Sequence, residues 1–85
     1  MYLEILTPEK DVFKGEVDGV QFPGSADLGS FEVLNNHAPL VSALVPGILK
    51  ITHSDGDLFI QIKGGFVEVL NNKVAVLVEG AEEKK

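Results

Sequence analysis

Glu68-Val69-Leu70-Asn71-Asn72-Lys73-Val74-Ala75-Val76-Leu77-Val78 is the stretch that decides the fold of this chain. An Asn-Asn pair tolerates positive φ and suits the centre of a type I′ turn. Strand-forming apolar runs stand on both sides of it, so the segment reads as a β-hairpin. The letters EVLNN also occur at residues 32–36, but His37-Ala38-Pro39-Leu40 follows them there in place of an alternating run. Two copies with different flanks do not make a repeat architecture. They share turn chemistry.

Working outward, the apolar pattern has period two almost everywhere. Leu3 and Ile5 alternate with Glu4 before the turn residues Pro8-Glu9-Lys10-Asp11. Val17, Val20 and Phe22 belong to a second strand region, where Gly15 and Gly19 mark bulges or close backbone approach. Pro23-Gly24-Ser25-Ala26-Asp27 reads as a loop, and Phe31 and Val33 as a short strand. Residues 40–45 are apolar on both sides, as in a strand buried on both faces. Pro39 lacks an amide donor, so that strand starts late or lies at a sheet edge. Asp55-Gly56 favours a tight hairpin, and Gly64-Gly65 marks another turn.

Short strands with a turn signal every roughly 8–12 residues predict an all-β sandwich or small barrel. No segment keeps a helical period over several turns. The expectation is one β domain over residues 1–80, followed by a solvated tail over residues 81–85.

The 85 residues carry a net charge of −6, all seven cations are lysines, and cysteine is absent. Disulfide and thiolate chemistry are therefore excluded. Without an arginine fork the chain is a poor partner for phosphate, and its acidity disfavours nucleic acid and anionic lipid. No apolar run reaches a membrane-spanning length and no secretory signal precedes the first strand, so a soluble, cytoplasmic protein is expected, with no direct lipid insertion.

No catalytic constellation emerges. His37 reads as a rim histidine bonded to local backbone, with a surface-contact role as the alternative. His53-Ser54-Asp55-Gly56-Asp57 gathers an imidazole and two carboxylates, but hairpin chemistry explains it and the calcium-loop spacing is missing. Glu9 with Asp11 and Glu16 with Asp18 read as solvated charge rather than acid/base dyads. The glycine-rich pieces match no phosphate loop or dinucleotide fingerprint. The residues by themselves describe an acidic β module for protein interaction, with no catalytic residue, no metal and no cofactor.

An ordered set of boxes goes further. LEILTPEKDVF, GSFEVLNNHAPLVSALVPGILKI and GGFVEVLNNKVAVLVE resemble the amino-terminal domain of the epsilon subunit of F-type ATP synthase, from about Leu3 to about Gly80. The resemblance implies a ten-stranded β-sandwich in a non-catalytic subunit of the rotor. It implies two partners, the gamma subunit and the c-ring, with one copy per complex held peripherally at the cytoplasmic face of a bacterial inner membrane. On matching positions it implies a c-ring contact at Asp27, Ser30, Phe31 and Glu32, and a gamma contact at His37, Ala38, Pro39 and Val41. Phe31, Leu40 and Val41 also have a plainer reading as core, which is preferred for Leu40. The chain departs from the family pattern at Glu32, where many relatives carry Gly, and at Asn35, where many carry Pro. Relatives commonly continue into two carboxy-terminal helices. The sequence ends at Lys85, whether as a naturally short member or a trimmed one, so no inhibitory arm and no nucleotide site are expected in it. The rival reading is a generic acidic β-sandwich with an unrelated protein partner.

Overall fold

The strands stack as two five-stranded sheets in a computed structural model that describes residues 1–25 and 29–84. In chain order the strands are β1 (Tyr2–Leu6), β2 (Asp11–Glu16), β3 (Gly19–Ser25), β4 (Gly29–Leu34) and β5 (Leu40–Leu44). There follow β6 (Gly47–His53), β7 (Gly56–Ile62), β8 (Gly65–Leu70), β9 (Lys73–Val78) and β10 (Ala81–Lys84). One sheet runs β2-β1-β9-β8-β5 and the other β10-β7-β6-β3-β4. Among the described residues only the β1–β9 pairing is parallel. The ten-stranded all-β sandwich is what the resemblance implied.

Period-two alternation builds the core. Leu3, Ile5, Val67, Val69, Val74 and Val76 point inward from the first sheet; Val20, Phe22, Val33, Leu49, Ile51 and Ile62 meet them from the second. Each such side chain contributes about 1.5–3 kcal/mol by leaving water. No polar side chain is buried among the described residues, and the buried Met1 ammonium is bonded to the Val17 carbonyl at 3.1 Å and paired with Glu16. Phe22 stacks on Phe31 across the β3–β4 register, with ring centroids 5.0 Å apart.

The turns follow local chemistry with one adjustment. Asn71 and Asn72 both take positive φ (52° and 61°), the type I′ geometry expected of the β8–β9 hairpin. In the first EVLNN copy only Asn36 does so (62°), and His37 N–H closes the turn on the Leu34 carbonyl at 3.2 Å. The β6–β7 hairpin turns on Ser54 and Asp55, one residue earlier than the Asp-Gly pair suggested, because His53 pairs with Gly56.

Three expectations are corrected. Gly15 pairs regularly with Leu3, and the irregularity in β1–β2 falls between Ile5 and Leu6 instead; Gly19 does mark a close approach, by the Leu34 side chain. Residues 81–84 do not form a solvated tail: Ala81–Lys84 pairs antiparallel with the free edge of β7, satisfying backbone groups while Glu82, Glu83 and Lys84 stay exposed. Lys85 lies outside the described residues. And β5 is not buried on both faces: it is the edge strand of its sheet, paired only with β8, and buries Leu44 while exposing Val41. The edge position and late start fit the proline at residue 39.

Candidate functional site

The strand register sorts the outer faces of the two sheets into rows, since paired residues share a face. On the second sheet one row reads Glu32, Gln21, Lys50, Phe59, Lys84, which is mostly polar. On the first sheet one row reads Ala43, Phe66, Leu77, Leu6, and the next reads Val41, Glu68, Ala75, Glu4, Lys14. Val41, Phe66 and Leu77 are 71%, 60% and 55% exposed. Side chains of this size left together in water on one sheet face mark an interaction surface. Beside them a groove of about 400 Å³ opens between Leu6, Pro8, Phe66 and Leu77. Its wall at the β1–β2 turn is held by Thr7, whose Oγ1 accepts from Glu9 N–H and Lys10 N–H at 3.3 and 3.1 Å.

The residues singled out from sequence fall around this face unequally. β4 and β5 are edge strands of opposite sheets, and residues 35–39 carry the chain from one to the other. Val41 belongs to the apolar face; Ala38 and Pro39 are exposed just before it. His37 is half-buried, and its Nδ1 donates to the neighbouring Ala38 carbonyl at 2.7 Å, the local backbone bond of the plainer reading. Ser30 and Glu32 are exposed on β4, whereas Phe31 is half-buried in its stack with Phe22. Leu40 is half-buried and packs against the core. Asp27 lies outside the described residues.

The other clusters dissolve into ordinary pairs. Asp57 is bound by Lys50 at 3.6 Å, leaving His53 with Asp55 at 3.8 Å. Asp11 pairs with Lys14, and Glu16 with the Met1 ammonium. No group of three metal-ligating side chains comes together among the described residues, and no helix there is long and apolar enough to cross a membrane.

Sequence reasoning missed Phe66 and Leu77. The signal was present, because β8 and β9 are apolar at alternate positions of both parities. Apolarity on both faces of a strand is equally consistent with burial on both, whereas here one face is bare.

The family model described as ATP synthase delta/epsilon chain, β-sandwich domain, matches residues 1–84. This chain belongs to that family. The ATP synthase epsilon chain of Leptospira borgpetersenii is 43% identical over 77 residues, covering 91% of this chain and 59% of the relative. The epsilon chain of a Nitratiruptor species is 48% identical over 80 residues, 93% of this chain and 60% of its own length. The chain thus spans about three-fifths of the length of these curated relatives. Among solved structures, a chain of the Euglena gracilis mitochondrial ATP synthase, solved with its c-ring, superposes with a TM-score of 0.85 at 26% identity, covering 95% of this chain and 51% of that one. The delta/epsilon sandwich is therefore matched in sequence and in three dimensions along nearly its whole length.

Proposed function

We propose that this delta/epsilon sandwich is the non-catalytic foot of an ATP synthase rotor, binding gamma and contacting the c-ring so that ion translocation is coupled to ATP synthesis. The observation that carries the reading is the bare apolar face of Val41, Phe66 and Leu77 on a chain of this family. Such a face loses unfavourable hydration when it is covered, by about 25 cal/mol per Å² of apolar area. Gamma covers it, entering beside Ala38 and Pro39, with His37 holding the loop that leads into β5. The c-ring is met at the β4 edge by Ser30 and Glu32, together with Asp27; the two carboxylates offer negative charge to basic ring loops. Phe31 supports that edge from inside through Phe22.

The architecture suits transmission of torque. The strands within each sheet are joined by backbone hydrogen bonds, and the interface between the sheets is apolar and close-packed, so shear must break many contacts together. A further backbone bond joins the sheets at the edge where the candidate contacts gather, from Val45 N–H to the Gly24 carbonyl at 3.1 Å. On this reading the protein is peripheral to its membrane, on the cytoplasmic side in a bacterium, and held there by its partners in one copy per complex.

Calorimetric titration of the chain into gamma from the same organism tests the proposal, with Val41→Asp and His37→Ala alongside. One-to-one binding that Val41→Asp weakens by about tenfold or more is expected, since a charge is then forced against an apolar partner. Absence of binding by folded wild type to competent gamma overturns the assignment and favours an unrelated protein partner.

A further inference from the structure

Glu68 is flanked by apolar side chains on the outer face of the first sheet. Its cross-strand neighbours are Val41 on β5 and Ala75 on β9. Along β8 the residues two positions away on the same face are Phe66 and Leu70, both exposed. A carboxylate thus projects among the exposed apolar side chains of Val41, Phe66 and Leu70.

The cations on this face are already engaged. Lys73 Nζ holds Glu4 Oε1 at 3.0 Å, and Lys14 Nζ holds Asp11 Oδ2 at 3.0 Å. Glu68 has no ion pair among the described residues. In water this costs nothing, because solvent satisfies the carboxylate. Covered by an apolar partner it is strongly disfavoured unless a counter-charge replaces the lost hydration. A wholly apolar partner is therefore repelled at the centre of the patch it would otherwise fit.

We infer that the partner covering this face presents a lysine or arginine within an apolar surface, and that this cation meets Glu68 and sets the register of docking. The inference rests on the docking reading above and adds what it leaves open, namely which chemistry distinguishes the right partner from any other greasy surface. Apolar contact around Phe66 and Leu77 supplies area; the Glu68 pair supplies selectivity.

The sign of one substitution separates the two possibilities. Glu68→Leu enlarges the apolar face, so it tightens binding if the partner is wholly apolar and weakens it if a cation stands opposite. Glu68→Leu, Glu68→Gln and Glu68→Lys are titrated against gamma of the same organism, beside wild type and the control Glu82→Gln, which removes an equal charge from β10 on the other sheet. The expected result is a loss of about tenfold or more for Glu68→Leu and Glu68→Gln, the size seen when one partner of a covered charge pair is removed. Glu68→Lys loses more, and Glu82→Gln binds like wild type. Wild-type affinity should also fall more steeply than that of Glu68→Gln between about 50 and about 500 mM salt. Tighter binding by Glu68→Leu, or equal binding by all three variants, overturns the inference while leaving gamma docking intact. Failure of wild type to bind removes the docking reading itself, and this inference with it.

Discussion

Asn36 N–H donates to Asn72 Oδ1 across 2.9 Å, so the two copies of EVLNN touch. Asn72 also gives its backbone carbonyl to Tyr2 N–H at 3.1 Å, and Asn35 Oδ1 accepts from the Met1 ammonium at 2.6 Å. Two turns of identical sequence, on different sheets and 36 residues apart, are thereby tied to each other and to the first strand. The second copy keeps the first at the end of the sandwich from which residues 35–39 lead into β5, so it braces the loop that carries His37, Ala38 and Pro39.

Replacing Asn72 by Ala removes the acceptor for Asn36 N–H and places a less tolerant residue at φ 61°. The combined cost is about 1–2 kcal/mol. In a domain of this size the midpoint of thermal unfolding then falls by about 4–8 °C per kcal/mol. Asn72→Asp keeps both the oxygen acceptor and the tolerance of positive φ, and should melt much closer to wild type.

Gly65 opens β8 with φ 153°, and a Cβ there would meet the Leu77 carbonyl oxygen. Gly65→Ala must displace backbone in β9, at a cost of about 2 kcal/mol or more. Urea denaturation should show a lower midpoint with an unchanged slope. A variant as stable as wild type contradicts the close approach of β8 to β9.

Exposed and buried phenylalanines should separate binding from stability. Phe66→Ser changes unfolding free energy by less than about 1 kcal/mol, since the ring is already mostly in water, but lowers affinity for gamma by about tenfold or more. Phe22→Ala removes a fully buried ring and its stack with Phe31, and loses about 3–5 kcal/mol. Chemical denaturation and calorimetry on the two variants check both halves.

Lys14 should titrate above the ordinary lysine value. Its hydrogen bond to Asp11, with the Coulomb attraction of the same carboxylate, raises its pKa above the ordinary 10.5. A folded-state value raised above the unfolded one gives stability that is complete below the unfolded value and is lost as pH rises through the folded value. The pair is exposed, so it matters little at neutral pH and is weakened by salt. Carbon-13 NMR of the lysine side chains should show Lys14 titrating above 10.5 in wild type, and moving down towards 10.5 in Asp11→Asn.

Alternation, turn residues and composition by themselves determined that this chain is all β, where most of its strands lie, and that the second Asn-Asn is a type I′ turn. Those features depend on steric preferences within a few residues, which are the same in any context. The family boxes added the strand count and the candidate contacts at Asp27, Ser30, Phe31 and Glu32 and at His37, Ala38, Pro39 and Val41. Tertiary pairing decided the rest. Whether LVSAL is a central strand or an edge depends on which strands lie beside it, and only β8 does. Whether Phe66 and Leu77 are core or surface depends on whether anything covers the outer face of their sheet, and their sequence reads the same either way. Ala81–Lys84 has the composition of a tail, yet it is a strand because β7 leaves an unpaired edge within its reach. Whether a local pattern is buried, paired or bare is settled by segments far away in the chain, and period and propensity carry no information about them.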